Sequence, residues 1–176
     1  YVYTTDYKQR QQDLPFGLLK VASLIKKIKA KNTDPVLVID NGDFLQGSPF
    51  TYYTAKQIQQ PSPYTSILND VGFDVGVIGN HEFNYGKDYL NKAVDTLNYP
   101  ILCANILNIK EQPAFGQAYE LFQFNDLTVA VLGLTTQYIP NWEQPASIAS
   151  LSFQSAVTCA HEYVPKLQEL ADVVIV

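Results

Sequence analysis

Three short apolar runs, each bounded by turn-forming residues, restrict this chain more than any other feature. They are PVLVI at 35–39, FDVGVI at 73–78 and PILCA at 100–104. Runs this short fall below helix length and read as buried strands. Between them the apolar spacing becomes helical. Leu18, Leu19, Ala22, Ile25 and Ile28 mark one face of a helix over about 17–31, with lysines on the other face. A second helix is expected over about 87–97, with Leu90, Ala93, Val94 and Leu97 inward. A third is expected over about 152–170, with Phe153, Val157, Ala160, Val164 and Leu167 along one side, and Pro165 should kink or divide it. Residues 119–124 and 127–134 flank Asn125-Asp126 and read as a β-hairpin, although Asn-Asp is weaker than Asn-Gly for a primed turn. Strand–helix alternation interrupted by a hairpin points to an α/β fold with a mixed sheet.

Bulk composition narrows the partners. A chain of 176 residues with 47% hydrophobic and 16% charged side chains can bury one domain's core. Its net charge of -5 argues against nucleic acid polymers and anionic membranes, which select basic faces. A small phosphorylated substrate stays compatible, because bound cations can reverse the field of an acidic site. No run approaches the roughly 18 to 20 apolar residues of a membrane span. The chain lacks methionine and starts on polar and aromatic residues. ADVVIV at 171–176 reads as a buried parallel strand with nothing after it. The chain is therefore expected to be an internal piece of a longer protein, cytoplasmic or extracytoplasmic. Cys103 and Cys159 read as two free, packed thiols.

In α/β proteins the loops leaving the carboxyl ends of strands carry the chemistry. Two such loops are unusual here: DNGDFLQGSP at 40–49 and GNHEFNYG at 79–86. Each puts acidic, amide or imidazole groups directly after an apolar run, beside glycines that allow a sharp turn. Asp43 is a candidate metal ligand, since a carboxylate can bridge two divalent ions. Asn80 offers a neutral amide oxygen, and His81 an imidazole able to ligate or to donate a proton. Such oxygen and nitrogen donors suit Mn, Zn, Fe or Mg. A lone Gly-Asp is ordinarily a turn; two such loops, each after its own strand, favour function.

The two loops resemble the second and third signature motifs of calcineurin-like metallophosphoesterases. GNHEFNYG, ANI and LGLTTQYIPNWE are similar to the family's 5′-nucleotidase and 2′,3′-cyclic-nucleotide 2′-phosphodiesterase branch, and the likeness runs over 14–176. The resemblance implies a four-layer α/β/β/α sandwich with mixed sheets, incomplete in this chain, holding two divalent metals. It implies that Asp43 bridges the metals and that Asn80 binds one metal and touches the substrate phosphate. His81 would contact substrate and act catalytically, stabilising the phosphoryl transition state or protonating the leaving oxygen without ligating metal. The implied reaction is hydrolysis of nucleotide phosphate esters by a metal-bridging hydroxide. Alternatives are a nucleotide-sugar or sugar-phosphate hydrolase of the same fold, or a catalytically silent binding domain. A dinucleotide-binding module is disfavoured, because no Gly-x-Gly-x-x-Gly follows any strand. The implied partners are a small nucleotide and a C-terminal nucleotidase domain of the same parent chain.

Departures from the family pattern matter as much. Its first motif pairs an aspartate and a histidine across one residue, whereas Thr4-Thr5-Asp6-Tyr7-Lys8 has a lysine at the histidine position. That segment is expected to be a decoy, with the true motif upstream of Tyr1. The later histidine ligands are expected beyond Val176. Residues 1–176 are thus expected to be an N-terminal metallophosphoesterase domain that cannot assemble both metals alone. Some relatives carry an aspartate three residues after the histidine; here Asn84 could orient the imidazole but would stabilise its charge less. Asp40 could accept a hydrogen bond that positions the Asp43 loop, but a plain strand-end role is favoured, and Glu82 is expected to cap or brace its loop rather than ligate. Asn105 could approach the site or serve a turn, and His161 reads as a surface residue. Tyr52, Tyr53 and Trp142 could stack on a base, but packing against a neighbouring domain is favoured.

Overall fold

Residues Thr4, Thr5, Gln11, Gln12 and 17–176 are described by a computed structural model. The Asp6–Lys8 part of the suspected decoy lies outside the described residues. A small antiparallel pair, β1 (Thr4–Thr5) and β2 (Gln11–Gln12), precedes helix α1 (Leu18–Lys31) and strand β3 (Ile39–Asp40). Then come α2 (Pro49–Tyr53), a π-helical turn at Thr54–Ile58, α3 (Ser62–Val71), β4 (Val75–Val77) and α4 (Lys87–Thr96). Strands β5 (Ile101–Leu102) and β6 (Ile106–Leu107) lead to the hairpin β7 (Tyr119–Phe124) and β8 (Leu127–Leu132). The chain continues through β9 (Ser152–Phe153), α5 (Ala156–Gln168) and β10 (Val173–Ile175).

Two sheets form the centre. β3, β4 and β5 are parallel and lie in that order. β8 pairs antiparallel with β7 and parallel with β10, giving the expected mixed sheet. The alternation of side chains along a strand sets the layers. Val75 and Val77 of β4 and Leu102 of β5 pack against Val129 and Val131 of β8 in one buried cluster, so the two sheets stack face to face. On the outer face of the first sheet, Ile101 packs with Leu68 of α3 and with Leu90 and Ala93 of α4. On the outer face of the second, Ala130 and Leu132 of β8 pack with Cys159 and Leu167 of α5. Helix, sheet, sheet and helix make four layers. α1 covers α3 through Ala22, Ile25 and Val71.

Some expectations are corrected. The third helix starts at Ala156, not near 152, because Ser152–Phe153 pairs with β6 and Ser155 caps the helix by accepting from Thr158 N–H at 3.3 Å. Val157 is 66% exposed; Cys159 and Leu167 carry the buried face. Pro165 does not divide the helix. In α1 only Ala22 and Ile25 are buried, while Leu19 and Ile28 face out. β10 is parallel as expected, but as an edge strand it is not buried: Val173 is 41% exposed. Residues 49–71, given no element from the sequence, form α2, the π turn and α3. Both cysteines are free and buried. No helix among the described residues is long and apolar enough to cross a membrane.

Candidate active site and metal centre

β3 and β4 are adjacent and parallel, so the loops leaving their carboxyl ends emerge side by side. Gly42 takes φ +83, and a Cβ there would stand 2.6 Å from the Gly79 backbone nitrogen. A Cβ on Gly79 would in turn run into the Asp43 carboxylate and backbone. Glycine at both positions is therefore what lets the loops touch. Asp43 itself sits at φ +61, a left-handed conformation that aspartate tolerates better than most residues but that still costs energy.

Glu82 joins the loops. Fully buried, its carboxylate accepts from Asp43 N–H at 2.8 Å, Leu45 N–H at 3.1 Å and Gly79 N–H at 2.7 Å. Burial pushes its pKa up, and these three donors offset only part of the rise. The bracing role expected of Glu82 is what the geometry shows. Asp40 is buried beside it, accepting from Gly42 N–H at 3.2 Å and Tyr99 Oη–H at 3.1 Å. Burial raises Asp40, and the two donors oppose this; burial and the nearby Asp40 push the Tyr99 hydroxyl upward. Asp40 thus supports the Asp43 loop, the less favoured of its two sequence readings.

The three predicted site residues are brought onto this shared edge. Asp43 is exposed, and its Oδ1 accepts from His81 N–H at 3.0 Å. Among the described residues its Oδ2 and the Asn80 amide have no hydrogen-bond partner, which leaves two hard oxygen donors open to a cation. His81 starts a 3₁₀ turn, His81–Phe83, anchored by fully buried Phe83. Its Nδ1 lies 2.8 Å from Asn84 Oδ1, so Asn84 orients the ring. Asn84 Nδ2 donates to Glu143 Oε1 at 2.7 Å. Glu143 was not singled out from the sequence. It closes the LGLTTQYIPNWE segment, and only the folded chain brings it to the histidine loop.

No group of three or more His, Cys, Asp or Glu side chains able to hold a metal exists among the described residues. Asp43 and Asn80 fit part of a hard-cation site, not a whole one. Asn105 does not reach these loops as a donor. Buried, it accepts from Thr135 N–H and donates to the Thr135 and Gln154 carbonyls, tying β6 to its neighbours. His161 is an exposed residue of α5, as expected. A cavity of about 640 Å³ lined by Pro35, Leu37, Phe124 and Ile175 lies at the amino end of β3, away from this edge.

A model of the calcineurin-like phosphoesterase family matches residues 13–167. The chain is 33% identical over 184 residues to a 2′,3′-cyclic-nucleotide 2′-phosphodiesterase/3′-nucleotidase of Salmonella typhimurium, covering 97% of this chain and 28% of that protein. It is 30% identical over 190 residues to a trifunctional nucleotide phosphoesterase protein of Bacillus subtilis, covering 97% of this chain and 13% of that one. Among solved structures, a candidate 5′-nucleotidase from Staphylococcus aureus matches with a TM-score of 0.89 and 42% identity, over 98% of this chain and 34% of that one. The chain therefore spans 13% to 34% of the length of these relatives.

Proposed function

The chain belongs to the calcineurin-like phosphoesterase family, and we propose that it supplies part of the metal-binding active site of a hydrolase acting on nucleotide phosphate esters, 5′-monophosphates or 2′,3′-cyclic phosphates. One observation carries this: Glu82 clamps two strand-end loops so that Asp43, Asn80 and His81 share one edge. The names of the relatives, a cyclic-nucleotide phosphodiesterase/3′-nucleotidase and a trifunctional nucleotide phosphoesterase, support the substrate class. The family works with divalent metal ions. Here the open Asp43 carboxylate and the Asn80 amide oxygen would hold them, two ions in number, with the remaining ligands outside the described residues. Bound, they would neutralise charge on the phosphate and lower the pKa of a coordinated water.

This chain's own residues do the rest. The neutral Asn80 amide contacts the phosphate without the repulsion a second carboxylate would bring to a dianion. His81, held through Nδ1, presents Nε2 to the ester and either stabilises the phosphoryl group or gives a proton to the departing oxygen. Glu82 and Asp40 fix the backbone on which these groups stand. The full-length protein, assayed with Mn²⁺ against adenosine 5′-monophosphate, 2′,3′-cyclic adenosine monophosphate and a nucleotide sugar, should hydrolyse one or both of the first two. Activity on the nucleotide sugar alone, or on none, would reject this assignment.

A further inference from the structure

We infer that Glu143 is a positioning residue for His81, acting through Asn84: its carboxylate fixes the sense of the Asn84 amide and so keeps the hydrogen on His81 Nδ1. An ionised carboxylate only accepts, so the Asn84 atom 2.7 Å from Glu143 Oε1 must be the NH₂ nitrogen. The opposite side of the amide, Oδ1, then faces His81 Nδ1 at 2.8 Å, and an amide oxygen only accepts. Nδ1 must therefore donate, in the neutral ring and equally in the doubly protonated one, and it is in the doubly protonated ring that Nε2 on the far edge carries the hydrogen its proposed role requires.

Without Glu143 the two orientations of the Asn84 amide have nearly the same shape and little to separate them. The flipped amide would offer N–H to Nδ1, forcing Nδ1 to accept, moving the ring hydrogen to Nε2 in the neutral ring and opposing the doubly protonated ring that proton transfer to the leaving oxygen requires. A carboxylate at position 84 would settle the tautomer alone. Asparagine cannot, and Glu143 supplies the missing constraint one residue further out. Donation to a full negative charge also polarises the amide and strengthens its oxygen as an acceptor.

The fold holds Glu143 in place for this. Fully buried Ile139 anchors a 3₁₀ turn, Ile139–Asn141, and its carbonyl accepts from Trp142 N–H at 2.9 Å and Glu143 N–H at 3.1 Å. Further along, Lys87 at the start of α4 donates from Nζ to the Ala149 carbonyl at 2.6 Å, pinning the same segment beside the histidine loop. A side chain at 143 is thus carried by a fixed turn, 59 positions from the amide it orients.

The effect on turnover rests on the nucleotide phosphoesterase proposal; the tautomer does not. The test uses the full-length protein. Imidazole ¹⁵N spectra of the metal-free protein, with His81 assigned by its absence in His81→Asn, should show Nδ1 protonated and Nε2 bare in the neutral ring. In Glu143→Ala a substantial Nε2–H population should appear. With Mn²⁺ and adenosine 5′-monophosphate, Glu143→Gln should lose about ten-fold in kcat with KM nearly unchanged, the scale of losing a residue that orients a functional histidine. p-Nitrophenyl phosphate, whose leaving group needs no proton, should lose less.

Asn84→Asp alone sets two carboxylates against each other and should be poor. Asn84→Asp combined with Glu143→Gln should exceed both single variants, because the aspartate accepts from Nδ1 while the glutamine donates to it. An unchanged ¹⁵N spectrum in Glu143→Ala would overturn the inference, as would a double variant no better than Glu143→Gln. A wild-type protein inactive on every nucleotide would remove the phosphoesterase proposal, and the ¹⁵N comparison would still decide the link.

Discussion

Glu82 accepts three backbone N–H groups drawn from two loops, which a neutral isostere cannot match. In Glu82→Gln the amide nitrogen would point at a donor, leaving at least one buried N–H unmet. Such a loss costs about 1 to 3 kcal/mol, and more where the acceptor was charged. Urea unfolding of Glu82→Gln should show a drop of about 2 to 3 kcal/mol, with metal affinity falling as the Asp43 loop loosens. The neighbouring residues divide differently. Asp43→Asn should lose at least one metal per chain by elemental analysis, because a neutral amide holds a divalent ion less well than a carboxylate. His81→Asn should keep its metals and lose about 10² to 10⁴-fold in kcat, the usual worth of a positioned acid or base. Equal metal loss in both variants would contradict this division of roles. At this scale the sequence showed what was local. Asp43, Asn80 and His81 stand in short strings after apolar runs, and Glu82 and Asn84 lie inside one of those strings. Glu143 was not legible, because nothing in a single sequence says that position 143 returns to position 84.

Periodicity shows elements where one face is apolar and the other is not. It gave α1 and α4 within a residue or two at each end, and the hairpin β7–β8 with its turn at Asn125-Asp126, where Asn125 takes φ +51. It gave nothing over 49–71. There Thr51 and Thr54 are the buried residues of α2 and the π turn, and the buried face of α3 mixes Thr65 with Leu68 and Val71, so the apolar period is broken by hydroxyl-bearing side chains. α2 is instead started by a capping box in which Ser48 and Thr51 satisfy each other's backbone N–H. Phe153 misled in the opposite direction, since its spacing suits the helix while its backbone pairs with Ile106 and its ring meets Phe83 at 5.8 Å. Pro165 shows propensity yielding to tertiary packing. It lies inside α5 on the exposed side, so the His161 carbonyl lacks its i+4 donor. Pro165→Ala should restore that bond and remove no buried contact. A helix-interior proline costs about 3 kcal/mol against alanine, offset by up to about 1 kcal/mol through the freer unfolded chain. A rise of about 1 to 2 kcal/mol in the urea unfolding free energy is expected.

The four-layer arrangement was available from the resemblance but not from periodicity. Apolar runs say that a strand is covered on both faces; they do not say whether the second cover is a helix or another sheet. The answer lies in Val75, Val77, Leu102, Val129 and Val131 meeting in one cluster. Cys103 follows β5 into the cluster on the helix side of the first sheet, with Phe83, Leu90 and Ile106, at 1% exposure, and part of the molecule's response to alkali follows from it. Burial pushes its thiol up to about 12, since a thiolate there would lose its hydration. An unfolded chain ionises the same thiol near pH 8.5. Below that value both states are protonated, and the thiol does not make stability depend on pH. Above it only the unfolded state releases the proton, so stability attributable to this group falls by about 1.4 kcal/mol per pH unit until the folded thiol ionises near 12. Urea midpoints measured from pH 8 to pH 11 should decline accordingly, and Cys103→Ala should flatten the early part of the slope despite a lower starting stability. Above about pH 10, where an unfolded tyrosine ionises, buried Tyr99 adds its own decline, because its hydroxyl is also held protonated in the fold. A Cys103→Ala variant with the parent's slope between pH 8.5 and 10 would mean that the thiol is reached by water and that the layer around it opens.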